Sequence, residues 1–206
     1  MERRELLKMI AVVTGGAVIG GELFLTGCKA AAKSSVEFTA AKISLLDEVA
    51  ETIIPATNTP GAKAAKVGEL MKVIVTDCYT QAEQEAFMNG ISSLDEASKK
   101  LNQKSFAEST PQQRHALLVS LEKEAKDFNK TVDEKDKPKR DEFFAKGRGY
   151  DFVPSPKHYY TMMKQLTLLG FFSSKTGMTE TLRHIPVPGK YDGAFPYAKG
   201  DKAWAE

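Results

Sequence analysis

Cysteine is nearly absent from this chain: Cys28 and Cys78 are the only two in 206 residues. No C-x-x-C-H haem site and no paired cysteines exist, and if Cys28 is consumed by modification no intramolecular disulfide is available. Histidine occurs three times, at His115, His158 and His184. These positions are scattered, so each reads as a surface or packing residue rather than a metal ligand. Neither sign of charge dominates: 29 bases against 27 acids leave a net +2, which gives no basis for binding nucleic acid or another polyanion. No nucleophile elbow, phosphate loop or metal-ligand spacing is present, which argues against an independent enzyme. Gly15 to Gly21 looks loosely like a dinucleotide-binding loop, but no strand precedes it. No convincing period-2 alternation marks a strand anywhere.

What is present begins at the N-terminus. Charged Glu2-Arg3-Arg4-Glu5 and Leu6-Leu7-Lys8 precede an uncharged run of 13 residues from Met9 to Gly21. That is short of the roughly 20 that a spanning helix needs. Leu25-Thr26-Gly27-Cys28 closes it, so residues 1–27 read as a cleaved export signal. The stretch resembles the lipobox of bacterial lipoproteins, with Cys28 as the acylated new N-terminus. Arg3-Arg4-Glu5-Leu6-Leu7-Lys8 resembles a twin-arginine signal, with Glu2 and Leu6 standing where Ser or Thr and Phe are usual. That route carries proteins already folded. The expected product is an exported chain, lipid-anchored to a bacterial membrane on the periplasmic side. The signal holds as many bases as acids, so the mature chain of about 180 residues keeps the +2. It has the length of one domain with a real core.

Past a small, polar tether (28–38), the chain reads as all-α, an irregular helical bundle over 39–183. Thr39 caps a helix with Ile43, Leu46, Val49, Ala50 and Ile53 at helical spacing, ended by Pro55. Thr59-Pro60 predicts a second helix with Val67, Leu70, Met71, Ile74 and Cys78 as its buried stripe, which makes Cys78 inert core. Thr80-Gln81-Ala82-Glu83 is a capping box opening a third, with Phe87, Ile91, Leu94 and Leu101 on one face. Thr110-Pro111-Gln112-Gln113 opens a fourth through Leu117, Leu118, Leu121, Ala125 and Phe128. Lys130 to Arg140, charged and containing Pro138, reads as a solvated loop or helix end. Ser155-Pro156 predicts a further helix with Met162, Met163, Leu166 and Leu169 buried and Gly170 as its stop; Ser174 caps a last short one. Asp47, Glu48 and Glu51 form a carboxylate group on one helix, read as a solvated face.

From His184 the chain carries Pro186, Pro188 and Pro196 together with Ile185, Val187, Tyr191, Phe195, Tyr197 and Trp204. Residues 184–206 read as an extended tail rich in proline and aromatics. Such a tail either lies along another protein or wraps back over its own bundle. Tyr191, Phe195, Tyr197 and Trp204 are the candidate anchors at a partner interface, because buried aromatics dominate interface energetics.

Two blocks carry a family resemblance. Leu46-Asp47-Glu48-Val49-Ala50-Glu51-Thr52-Ile53-Ile54-Pro55-Ala56-Thr57-Asn58-Thr59-Pro60-Gly61-Ala62 is the first. The second runs from Leu166 through Gly170-Phe171-Phe172-Ser173-Ser174 to Pro186-Val187-Pro188-Gly189-Lys190-Tyr191-Asp192-Gly193. Together they resemble the gluconate 2-dehydrogenase subunit 3 family, over residues 40–204, although that family often has Tyr at the position of His184 and Cys at that of Ala194. The resemblance implies a non-catalytic small subunit of a membrane-associated sugar or polyol dehydrogenase. It implies no cofactor in this chain and FAD in a partner flavoprotein of the glucose-methanol-choline oxidoreductase type, often with a cytochrome c as electron acceptor. The small subunit would assist export, stability and membrane attachment of that partner. The alternative is a stand-alone envelope lipoprotein that binds a small ligand or another protein.

Overall fold

The computed structural model describes residues 36–187, 189 and 192–205. Among them are five α-helices: α1 (Ala40–Ile53), α2 (Val67–Asp77), α3 (Gln81–Asn102), α4 (Pro111–Ala145) and α5 (Tyr159–Phe172). A 3-10 turn (Ala62–Ala65) precedes α2, a second (Gly149–Asp151) follows α4, and a π-helical turn (Gly177–Thr181) follows α5. The all-α expectation holds. The described strands are two residues each, β1 (Arg183–His184) and β2 (Trp204–Ala205), paired in parallel with Arg183 opposite Trp204.

Local chemistry sets three helix starts where the sequence places them. The Thr39 hydroxyl accepts the Lys42 N–H at 3.3 Å. Both capping boxes close: Thr80 N–H donates to Glu83 Oε2 at 2.9 Å, and Thr110 N–H to Gln113 Oε1 at 2.9 Å. Leu46, Val49, Met71, Phe87, Leu94, Met163 and Phe171 form the centre of a core shared by all five helices. Phe106, in the α3–α4 loop, completes it, its N–H fixed by Asp95 Oδ1 at 2.9 Å.

Other expectations fail for reasons outside the local sequence. The second helix does not begin at Thr59-Pro60. Its amides bond backward instead, Ala62 N–H to Ile54 O and Lys63 N–H to Glu51, so α2 starts only after left-handed Lys66. Val75 takes the core place expected for Cys78, which lies past the last turn of α2 and is exposed. Ser155 does not open α5. Its N–H and hydroxyl are both spent on Asp136 (2.7 and 2.8 Å), and the helix begins at Tyr159, capped by His158. Gly170 is an interior residue of α5, because the helix continues to Phe172. Leu101, Phe128 and Leu169 are not buried: 61, 46 and 53% of their surface is exposed.

Of the two readings of Lys130–Arg140, the solvated loop fails and the helix end holds: the run is helix throughout. α4 runs 35 residues, through Pro138. Proline there removes one backbone donor, on an exposed stretch where water serves the freed carbonyl. Past Asn129 the helix leaves the core as an arm. Residues 149–157 run back beside it as a strap, fixed by Asp136 to Ser155, Asp133 to Lys157, and Phe143 against Phe152 at 6.1 Å. Asn129 Oδ1 accepts the His158 N–H at 2.9 Å where the strap rejoins the body.

The polarity of the bundle follows from these contacts. Ser98 bonds Ser109 at 3.0 Å, so the end of α3 and the start of α4 share one end, together with Arg114, which pairs with Glu48 of α1. At the opposite end, Phe38 packs on Phe87 near the start of α3 (6.4 Å), and Tyr159 lies against Gly90.

Candidate partner interface

The loop after α1 is held by α1's own carboxylates. Glu51 accepts the Ala56 N–H through Oε1 and the Lys63 N–H through Oε2, each at 2.9 Å. The approach is close enough that a Cβ on Gly61 would stand 2.3 Å from Glu51 Oε1 and 2.6 Å from the Ala56 nitrogen. Glu48 bridges Lys63 and Arg114. Arg114 in turn donates from Nε to Ser109 O at 3.0 Å and lies over the Phe106 ring. Asp47 accepts the Gly68 N–H at 2.8 Å, a favourable position for an anion at the start of α2. The three carboxylates expected to be a solvated face are thus a brace, and the exposed Pro55–Asn58 segment is what they hold out.

Their ionisation reflects these roles. Burial disfavours the Glu48 anion, but hydrogen bonds from Lys63 and Arg114 outweigh it and hold the carboxyl below its ordinary value. At Asp47 burial wins over the Gly68 bond and pushes the carboxyl up. His158 is pushed down by burial, against the pull of Glu124. It packs between Tyr159 and Phe128, and its Nδ1 accepts the Tyr160 N–H at 3.3 Å, so it is a helix cap in the packed interior. Among the described residues, no three His, Cys, Asp or Glu side chains gather as a metal-holding group.

The second distinctive block meets the first in the core, where Leu166 and Phe171 join Leu46, Val49, Ala50 and Ala62. Gly170 of α5 packs against Val67 and Leu70 at the start of α2, where an added Cβ would lie 2.8 Å from Leu70. Past α5, Ser174 caps the π-helical turn by accepting the Gly177 N–H at 2.9 Å. The tail then closes on its own root. The Arg183 guanidinium stacks 4.7 Å from the Trp204 ring and 5.7 Å from Phe195, and those two rings meet edge-on at 5.5 Å. Lys202 donates to the Glu180 carbonyl. Phe195 and Trp204 keep about half their surface, while Tyr197 (79% exposed) and Val187 (79%) touch little.

The described structure thus brings two of the four tail aromatics, Phe195 and Trp204, into one short clasp facing Arg183, with Tyr197 standing free. Tyr191 lies outside the described residues, as do Arg3, Arg4 and Cys28. Reasoning from the sequence missed Arg183, Arg114 and the Glu51 brace. A lone arginine amid aromatics was the available signal for the first; nothing local marks the other two.

The family model for gluconate 2-dehydrogenase subunit 3 matches residues 40–189. The chain belongs to that family. The match covers the first distinctive block, the second as far as Gly189, and the helices between them. Neither a curated protein nor a solved structure matches the chain at a significant level. Membership of a subunit family makes this chain one component of a gluconate dehydrogenase type of assembly, in keeping with an accessory role. Among the described residues, no helix is long and apolar enough to cross a membrane.

Proposed function

We infer that this subunit 3 protein is the non-catalytic small subunit of a membrane-associated, FAD-dependent sugar or polyol dehydrogenase. Its partner is a flavoprotein of the glucose-methanol-choline oxidoreductase type, which holds the FAD, and a cytochrome c serves as electron acceptor. Arg3 and Arg4 direct the folded pair through the twin-arginine route, and acylated Cys28 keeps it at the membrane on the periplasmic side. The observation that carries the reading is convergence. The family's two distinctive blocks, more than a hundred residues apart in sequence, share one core through Leu46, Val49, Ala50 and Ala62 of the first and Leu166 and Phe171 of the second, and the exposed loop and tail extend from them.

On this reading Tyr197, Phe195, Trp204 and Tyr191 contact the flavoprotein, because a segment pre-shaped by proline and ring stacking loses little entropy on docking. The native protein, purified from membranes under mild detergent, should carry a larger yellow flavoprotein in fixed ratio. Deleting residues 184–206 should leave the helical circular dichroism and melting temperature close to the original while the flavin content of the preparation falls. A colourless preparation of the intact protein would defeat the subunit reading. Undiminished flavin after the deletion would remove the tail from the interface.

A further inference from the structure

The start of α5 is tied to α4 at a joint made of two side chains. Asn129 reaches across with both ends of its amide: Oδ1 accepts the His158 N–H at 2.9 Å, and Nδ2 donates to Thr161 Oγ1 at 2.8 Å. His158 closes the joint with its ring, Nδ1 accepting the buried Tyr160 N–H at 3.3 Å. An acceptor at Nδ1 puts the ring's one proton on Nε2, so this cap exists only while the imidazole is neutral. The ring is wedged between Phe128 of α4 (5.5 Å) and Tyr159 of α5 (4.3 Å). It cannot turn unless the first turn of α5 moves with it.

Glu124 is the charged group that faces the ring from α4, its Oε1 lying 3.8 Å from Nε2. From α5 come Tyr159 and Tyr160, whose hydroxyls burial pushes up to about 12. On the strap, Lys157 is engaged with Asp133. α3 brings Gly90 against Tyr159 and adds no charge there. Glu124 favours the imidazolium, but burial outweighs it and keeps the ring neutral to below the ordinary 6.5. Protonation would set an Nδ1–H against the Tyr160 N–H, donor against donor. It would also place a cation at the N-terminal end of α5, where the helix dipole opposes it.

The contacts beyond the joint do not titrate in the same range. Ser155 donates twice to Asp136 and holds that carboxyl below its ordinary 3.8, so the strap stays on the arm in mild acid. Arm and strap thus form one limb, connected to the body by α4 itself and by the joint.

We propose that the joint is an acid-released latch: neutral His158 locks the limb to the first turn of α5, and protonated His158 leaves it carried by α4 alone. The latch responds to the acidity of the surroundings and needs no partner to open.

The test is hydrogen exchange on the full-length protein across roughly pH 4.5 to 7.5, corrected for intrinsic rates. Protection of the His158, Tyr160 and Met162 amides should fall on the order of tenfold through the histidine transition, as expected for the loss of a hydrogen bond. The Ser155 amide and the α3 amides at Phe87 and Leu94 should hold. His158→Asn keeps a capping oxygen that does not titrate, so its protection should be flat with pH. Should that variant fold poorly, Glu124→Gln decides: without the carboxylate the transition moves to lower pH. No acid step at the three amides would overturn the proposal, as would the same step in folded His158→Asn or an unmoved transition in Glu124→Gln. An equal loss at Phe87 and Leu94 would overturn it too, because the event would then be global unfolding.

Discussion

At the signature end, single side chains reach far along the sequence: Glu51 to Lys63 across 12 residues, and Glu48 to Arg114 across 66. Along the arm, Lys146 to Glu142 and Arg148 to Asp151 join near neighbours at the surface, and the Asp136, Asp133 and Phe143 contacts tie the strap down. The first end is specified by partly buried charge with few substitutes. The second is specified by helix propensity and a row of replaceable contacts. The loop after α1 is thereby held to one shape, whereas the arm tolerates change along its length.

The comparison breaks if the two ends respond alike to substitution. Arg114→Ala should have the largest effect, lowering stability by about 3 kcal/mol, because Glu48 is left half-buried with Lys63 as its remaining partner. Urea unfolding followed by circular dichroism measures it. A loss equal to that of a surface arginine would mean the brace carries little. Gly61→Ala comes next, at about 2 kcal/mol, since the methyl group must displace Glu51 or the Ala56 backbone. Its thermal melt should fall while hydrogen exchange in the arm stays as it was.

Acid sharpens the contrast. Folding lowers the Glu48 value, so its contribution is complete above the ordinary value of 4.5 and is lost as pH falls through the lower folded value. Asp47 has the opposite sign, being raised, so its protonation relieves the folded state. His158 is lowered from 6.5 by burial, so stability also declines as pH drops below that value toward the folded one. Melting temperatures recorded across roughly pH 3 to 7 should therefore fall in two steps. Glu48→Gln should shrink the lower step, to which Asp95, Glu122 and Asp136, also lowered by their hydrogen bonds, contribute, and His158→Asn should remove the upper.

Asp136→Ala should have the smallest global effect. It frees the Ser155 N–H and hydroxyl, so amide exchange in residues 149–157 should quicken while the melting temperature stays within error. A large global loss would show that the arm is part of the body's cooperative unit.

The capping signals were read correctly where the partner was near. The Thr80–Glu83 and Thr110–Gln113 boxes close within one helical turn, and Phe87, Ile91 and Leu94 follow on the predicted face. Ser155 misled because its partner, Asp136, is 19 residues upstream. Thr59-Pro60 misled because Glu51 captures the amide that a helix would have used. Pro138 sits on the exposed side of the long helix, where the carbonyl it frees faces water, so the helix runs on through it. The clasp at the tail was invisible for the same reason, as Arg183 and Trp204 meet only after the chain has turned through the prolines between them.

That clasp turns the tail into a loop closed at its root. With Arg183 bound to Trp204, the 20 residues between them have lost the freedom of a loose end before any partner arrives. Tyr197 rides near the far side of that ring. A cut anywhere between Ile185 and Asp201 would leave every residue in place by mass, yet return the two halves to independent motion.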